Sequence, residues 1–176
     1  MKGDHMLLSV RSRQMAIAAV MIALTVAATT LLRVPAFGSR LFFHFGEAVI
    51  CTAALLGGRR MGATVGAVGS ALADVVLGLM VWAPVSLLVH GFEGYVIGRM
   101  SDGRGARKDV VALAHGTGVM IAGYALGAWV IYGAAAVPIE VARDLAQGGA
   151  GAAIAWFVTS AITRACPALS IRGSGE

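Results

Sequence analysis

The sequence predicts an all-α integral membrane protein, a single bundle of six transmembrane helices with both termini in the cytoplasm. The 176 residues are 58% hydrophobic and only 13% charged, whereas soluble domains are roughly 25% charged. The mean hydropathy is +0.80, and a soluble domain of this length could not bury that much apolar surface. The basic residues also cluster in short segments between apolar runs, which is typical of membrane proteins.

Six apolar segments define the predicted helices, and residues 1–176 form one membrane domain around them. A membrane span needs roughly 17–25 residues, so the second and fourth segments are near the lower limit. The first run, from Met15 to Leu32, is longer than a signal-peptide core and no small-residue cleavage site follows it, so we interpret it as a retained helix. The predicted helices cover residues 14–34, 42–58, 61–81, 83–99, 110–136 and 139–163.

The positive charges set the predicted orientation. With the N-terminus inside and six crossings, only Arg33, Arg40 and Arg143 fall outside. The other eleven of the 14 basic residues fall inside, and such a bias favours this topology. They are Lys2, Arg11, Arg13, Arg59, Arg60, Arg99, Arg104, Arg107, Lys108, Arg164 and Arg172.

Small residues recur four apart on three of the predicted helices, which lets helix backbones approach closely in lipid. For the glycine-containing stripes we expect packing inside the bundle. For the alanine stripe on the first helix, packing inside the bundle and docking of a second membrane protein are both open. The stripes are Ala19, Ala23 and Ala27; Gly62, Gly66 and Ser70; and Gly94 with Gly98.

Polar side chains in the apolar segments predict a small-molecule site, because an ionisable group in a membrane helix usually faces a cavity or the protein interior. Four of them share one face of the fourth helix at spacings of 4, 4 and 3. Three more repeat the 4, 3 spacing at the outer end of the sixth helix, and two acidic residues complete the set. We expect an outward-opening pocket with residues 37–45 as an aromatic lid. The residues are Trp82, Ser86, His90 and Glu93; Glu140, Asp144 and Gln147; and Glu47 with Asp74.

Several roles in this pocket have alternatives. Glu93 lies deepest and is predicted to be a structural hydrogen-bond anchor rather than a ligand contact. Glu47 begins the second helix, where a carboxylate stabilises the helix dipole, so capping is an equal alternative. Glu140 and Asp144 are equally explained by a solvated helix face. The residues of the predicted pocket are rich in acids and aromatic rings. They fit a flat heteroaromatic ligand with amino or hydroxyl groups, either neutral or cationic.

The sequence excludes several chemistries. Residues 102–107 resemble part of the signature of membrane CDP-alcohol phosphotransferases, but three of the four required aspartates are replaced, by Arg99, Met120 and Tyr124. A Ser/His hydrolase lacks the G-x-S-x-G motif, no P-loop is present, and nothing resembles a nucleic-acid groove. The two cysteines match no metal-ligand spacing. We therefore predict no enzyme activity, no cofactor and no metal.

Five stretches of sequence, within a similarity that extends over about residues 15–160, resemble the substrate-binding S-components of energy-coupling factor (ECF) vitamin transporters, in the riboflavin-type branch whose substrates are often unassigned. They are residues 45–49 (FGEAV), 53–58 (AALLGG), 66–74 (GAVGSALAD), 82–84 (WAP) and 91–94 (GFEG).

The resemblance implies a subunit of a prokaryotic cell membrane that captures a vitamin or vitamin precursor outside and delivers it inward. It implies docking through Ala19, Ala23 and Ala27 onto a transmembrane coupling subunit driven by two ATPases. The alternatives are a small structural or assembly membrane protein without a transported ligand, and a membrane enzyme.

Overall fold

A computed structural model of the chain describes residues 2–36, 41–101 and 105–166. Within them, five α-helices and one β-hairpin follow one another, and a short 3₁₀ turn, Ala134–Ala136, precedes the last helix. The elements are α1 (Lys2–Thr30), β1 (Arg33–Ala36), β2 (Leu41–His44), α2 (Gly46–Val76), α3 (Ala83–Met100), α4 (Ala106–Tyr132) and α5 (Val137–Ala165).

Two of the predicted helices, 42–58 and 61–81, form the single element α2, which is broken at Gly58. This residue has φ 77° and ψ −171°, a conformation that glycine adopts without strain. The chain reverses direction at Gly58. A methyl group built on Gly62 would lie 2.6 Å from Cβ of Ala54, and one on Gly66 would lie 3.2 Å from Cγ2 of Ile50, so residues on the two sides of the turn face each other. The halves 46–57 and 59–76 therefore lie side by side and antiparallel.

The described residues thus contain five α-helices, and the two antiparallel halves of α2 correspond to two of the six predicted helices. The β-hairpin is a correction to the predicted helices. β1 pairs antiparallel with β2, with Arg33 opposite His44, in a region predicted as helix ends joined by a loop. Pro35 prevents α1 from continuing through residue 34, since proline disfavours helix for itself and the preceding residue. Residues 37–40 of the predicted lid lie outside the described residues.

The closest helix contact joins the second half of α2 to α3 through the predicted small-residue stripes. Gly62 meets the backbone of Gly94, and Gly66 meets the carbonyl of His90. At the next step of four residues, Oγ of Ser70 donates a hydrogen bond of 3.0 Å to the carbonyl oxygen of residue 86. The contacts pair residues 62, 66 and 70 of α2 with residues 94, 90 and 86 of α3. The two helices therefore run antiparallel in a fixed register.

Three of the described segments are long and apolar enough to cross a membrane, namely Ser12–Thr30, Ala106–Tyr132 and Ala134–Ala165. Large apolar side chains also lie on the outside of the bundle, among them Val130, 71% exposed, and Leu88, 69% exposed. This outer surface is suited to lipid. The number of crossings and the orientation of the termini stay predictions.

Candidate ligand-binding site

A cavity of about 480 Å³ lies at one end of the bundle, where α1, α2 and α4 end and α3 and α5 begin. This volume is in the range of small-molecule sites. The hairpin supplies two of the lining residues. The lining residues are Thr29, Arg33, His44, Asp74, Leu77, Leu79, Trp82, Ser86, His90, Tyr124, Tyr132, Glu140, Arg143 and Gln147.

Six of the eight residues predicted to bind a ligand line this cavity, namely Asp74, Trp82, Ser86, His90, Glu140 and Gln147. Glu47 and Asp144 are not part of the lining. Both are completely buried, and each lies behind a lining residue, Glu47 behind His90 and Asp144 behind Arg143. The sequence pattern therefore identified residues from three different helices that the fold brings to one place.

Aromatic rings form one wall of the cavity. The rings of Trp82 and Tyr124 are 5.6 Å apart, and those of Trp82 and Tyr132 are 5.9 Å apart. Nε1 of Trp82 also donates a hydrogen bond of 3.1 Å to the hydroxyl of Tyr132. These contacts hold the indole in a fixed orientation beside the cavity, where its face is available for stacking.

Tyr124 connects the aromatic wall to the polar one. Its hydroxyl lies 2.5 Å from Oγ of Ser86, and its ring meets His90 edge-on at 5.3 Å. Ser86 is buried, and the carboxyl of Asp74 is close enough to interact with it. The three hydroxyl and carboxyl groups form a polar strip along the wall, and Oδ2 of Asp74 has no hydrogen-bond partner within the described residues.

Arg143 is held by two carboxylates. Its Nη2 lies 2.5 Å from Oε1 of Glu140 and 2.7 Å from Oδ1 of Asp144, and its guanidinium carbon is 6.0 Å from the centre of the Tyr124 ring. Glu140 and Asp144 are buried, which argues against the solvated helix face that the sequence left open. Two acidic side chains therefore fix the position of one arginine on this side of the cavity.

His90 is oriented from behind by glutamates. Its Nδ1 lies 2.7 Å from Oε2 of Glu93 and 3.5 Å from Oε2 of Glu47. Glu93 is completely buried, in a position that suits the predicted structural anchor. No other hydrogen bond of the imidazole occurs in the described part of the chain, so Nε2 is the ring nitrogen left for a molecule in the cavity.

His44 lines the cavity from the hairpin. Burial and, to a smaller extent, repulsion from the basic groups His90, Arg143 and Arg33 lower the pKa of His44 to about 3. Its imidazole is therefore neutral at physiological pH, and its Nδ1 has no hydrogen-bond partner among the described residues. A neutral imidazole offers one donor and one acceptor.

Sequence reasoning missed several lining residues. Thr29, Arg33 and His44 lie at element ends, where no periodic pattern marks them. Tyr124 had a signal that was not used, since it precedes Tyr132 by eight residues and falls in the same helical stripe. The expected docking residues lie elsewhere, on α1, where Ala19 and Ala23 are exposed and Ala27 is partly exposed.

The chain is similar to known proteins in two comparisons. Residues 9–165 match the family model described as ECF-type riboflavin transporter, S component. The chain is also 36% identical over 124 residues to a protein of Pyrococcus woesei described as an uncharacterized protein in gap 3'region, an alignment that covers 70% of this chain and 83% of the relative. Because the family match spans most of the sequence, the chain belongs to the S-component family of ECF-type riboflavin transporters, and it is a vitamin-type substrate-binding subunit of a membrane transporter rather than an enzyme.

Proposed function

We propose that the cavity binds a vitamin or vitamin precursor with a small heteroaromatic ring, taken up from outside a prokaryotic cell. The observation that carries this proposal is the convergence of Trp82, Tyr124 and Tyr132 with polar groups from six elements around one cavity. Aromatic faces suit a flat ring, and a few placed polar groups fix its orientation. The acids Asp74 and Glu140 favour a ligand that carries hydrogen-bond donors, such as amino or hydroxyl groups.

Within this site we assign contact with the ligand to the six lining residues that the sequence predicted. Glu47 and Asp144 act through their neighbours, His90 and Arg143, which they orient from behind. This division revises their predicted role as direct ligand contacts. It is supported by their complete burial outside the cavity lining.

We further propose six membrane crossings, with the cavity opening outward and both termini in the cytoplasm of a multi-pass plasma-membrane protein. The antiparallel halves of α2 supply the second and third crossings. The half 46–57 is shorter than an ordinary span, and most of its residues are buried inside the bundle. Arg33 and Arg143 lie at the cavity end, whereas Arg59 lies at the opposite end of α3, beside Gly98. This separation supports the predicted distribution of positive charge.

The partners in this proposal are a transmembrane coupling subunit and two ATPases, since ECF S components generally work with such modules. We assign the contact to the stripe Ala19, Ala23 and Ala27 on α1. Its support is that Ala19 and Ala23 are exposed while Thr25 and Ala28, on the other face of α1, are buried. Exposed small residues allow close approach of a second helix in lipid.

The proposal is tested by mass spectrometry of small molecules released when the purified, detergent-solubilised protein is denatured. We expect one heteroaromatic compound in near-stoichiometric amount, and the same compound should stabilise the ligand-free protein against heat. A protein that is empty and is not stabilised by riboflavin, pyridoxine, thiamine or its pyrimidine precursor would contradict the proposal. That result would favour a structural or assembly role.

A further inference from the structure

Behind the cavity wall, two glutamates and a cysteine meet in the protein interior. One carboxylate oxygen each of Glu47 and Glu93 and Sγ of Cys51 all lie within 4.8 Å of one another. All three residues are completely buried, and none of them lines the cavity. We propose that these three side chains, together with Nδ1 of His90, bind one transition-metal dication of the zinc type.

The first argument is that two carboxylate oxygens in this cluster accept no hydrogen bond. Oε2 of Glu47 and Oε1 of Glu93 are buried, and neither has a hydrogen-bond partner among the described residues. Removing a carboxylate from water without compensation costs several kcal/mol. His90 is the one basic side chain of the described chain found in contact with this pair, and a dication would offset most of the negative charge of the two carboxylates and the thiolate.

The second argument is the spacing of the donor atoms. Zinc–ligand bonds of about 2.0–2.3 Å in a tetrahedron place the ligand atoms roughly 3.2–3.8 Å apart. Sγ of Cys51 is 3.6 Å from Oε1 of Glu47, and Nδ1 of His90 is 3.5 Å from Oε2 of Glu47. The separation of 2.7 Å between Nδ1 and Oε2 of Glu93 is shorter, and it must lengthen as the metal replaces that hydrogen bond. The donor atoms of Glu47, Cys51 and Glu93 lie within 4.8 Å of one another, and any pair more than roughly 3.8 Å apart must draw together around the ion.

The third argument is the ligand set and the way in which helices present it. A thiolate, an imidazole and carboxylates together select zinc-like ions over Mg²⁺ or Ca²⁺. Glu47 and Cys51 are four apart on α2, and His90 and Glu93 are three apart on α3. Bundle metal sites are commonly built from such carboxylate and i, i+3 Glu/His pairs that project inward from facing helices.

The metal would have an access route and a consequence for the cavity. His90 lines the cavity and also contacts the buried cluster, so an ion can reach the site past this side chain. Coordination through Nδ1 leaves Nε2 pointing away from the metal. The metal would therefore hold the imidazole in one orientation in the cavity wall.

The test uses the full chain in detergent, freed of any polyhistidine tag and treated with EDTA, then exposed to Zn²⁺ or Co²⁺ near neutral pH. We expect one zinc per chain after gel filtration, a higher melting temperature, and a thiolate–Co²⁺ absorption band. Cys51→Ser should abolish the band and weaken zinc binding at least tenfold, and Glu93→Gln should weaken zinc binding similarly. The matched controls His115→Gln and Cys166→Ser, both at exposed positions, should bind as the unmodified chain does.

Two results would contradict the proposed metal site. A folded wild-type protein that retains no zinc and shows no thiolate–Co²⁺ band would overturn the proposal and leave a carboxyl pair that shares a proton. Zinc binding that survives Cys51→Ser and Glu93→Gln but is lost in His115→Gln would place the metal on the surface and also overturn it. None of these measurements requires a transported ligand, so the result is independent of the proposed function.

Discussion

Trp82 lies at the centre of the aromatic wall, in contact with both Tyr124 and Tyr132. We expect Trp82→Ala to weaken binding of the compound identified by mass spectrometry about tenfold, since stacking on an indole contributes roughly 0.5–1.5 kcal/mol beyond the buried area. Isothermal titration calorimetry would measure the affinity. Trp129→Ala is the matched control, because Trp129 is 56% exposed and does not line the cavity. Equal affinities in both variants would remove the aromatic wall from the site.

Asp74 tests the polar wall in the same way. Asp74→Asn keeps the shape of the side chain but replaces one acceptor oxygen by a donor, so a ligand that donates hydrogen bonds should bind roughly tenfold or more weakly. The melting temperature should change little, since Oδ2 of Asp74 has no partner to lose within the described residues. Unchanged affinity together with unchanged stability would show that Asp74 does not contact the ligand.

At the scale of elements, the contact between α2 and α3 determines where Ser86 and His90 are placed. A methyl group on Gly94 would overlap the backbone of Gly62, so Gly94→Ala must push the helices apart at a cost of about 1–3 kcal/mol. We expect the melting temperature in detergent to fall by roughly 3–10 °C. On α4, a methyl group on Gly118 meets nothing within 4 Å, so Gly118→Ala should be neutral or slightly stabilising. A change of the melting temperature in the same direction for Gly94→Ala and Gly118→Ala would contradict the close packing of α2 against α3.

The helices were largely predictable because long apolar runs and glycine spacing are local signals. Ala83–Met100 differs from the predicted 83–99 by one residue. The sequence also placed a helix boundary between residues 58 and 61, where Gly58 breaks α2. The hairpin was not predictable in this way, because it depends on pairing between strands of four residues.

The site was partly predictable for the same reason. Trp82, Ser86 and His90 share one helical face, so spacing alone groups them. The burial of Glu47 and Asp144 behind other side chains depends on how helices pack against one another, and spacing carries no information about that depth. The meeting of Glu47 and Cys51 with Glu93 likewise joins two helices, so the spacing of the two cysteines in the sequence does not reveal it.

At the scale of the whole molecule, binding and transport should be separable. Ala23 is exposed on α1, away from the cavity lining, and a bulky side chain there would block close approach of a coupling subunit. We expect Ala23→Trp to reduce uptake at least tenfold in cells that contain an ECF module, with the affinity of the purified subunit within about twofold of wild type. Ala114→Trp, at an exposed alanine of α4, should leave uptake unchanged. Loss of binding in Ala23→Trp, or equal uptake in both variants, would contradict docking through α1.

The orientation of the whole bundle can be tested with the cysteines of the chain. Cys166 is exposed at the end of α5, whereas Cys51 is buried. Ala134 is exposed near the start of this helix, and the 29 residues of α5 extend about 43 Å, more than the roughly 30 Å hydrocarbon core. In the proposed topology, Cys166 therefore faces the cytoplasm and Ala134 the outside.

We expect a membrane-impermeant maleimide to label Cys166 only after the cells are permeabilised. In a Cys51→Ser, Cys166→Ser background, it should label Ala134→Cys in intact cells, while the background itself stays unlabelled under both conditions. Labelling of Cys166 but not of Ala134→Cys from outside would mean that the bundle is inverted and that the cavity opens to the cytoplasm. Labelling of both from outside would place the two ends of α5 on the same side, which is incompatible with a crossing by this helix and with the count of six.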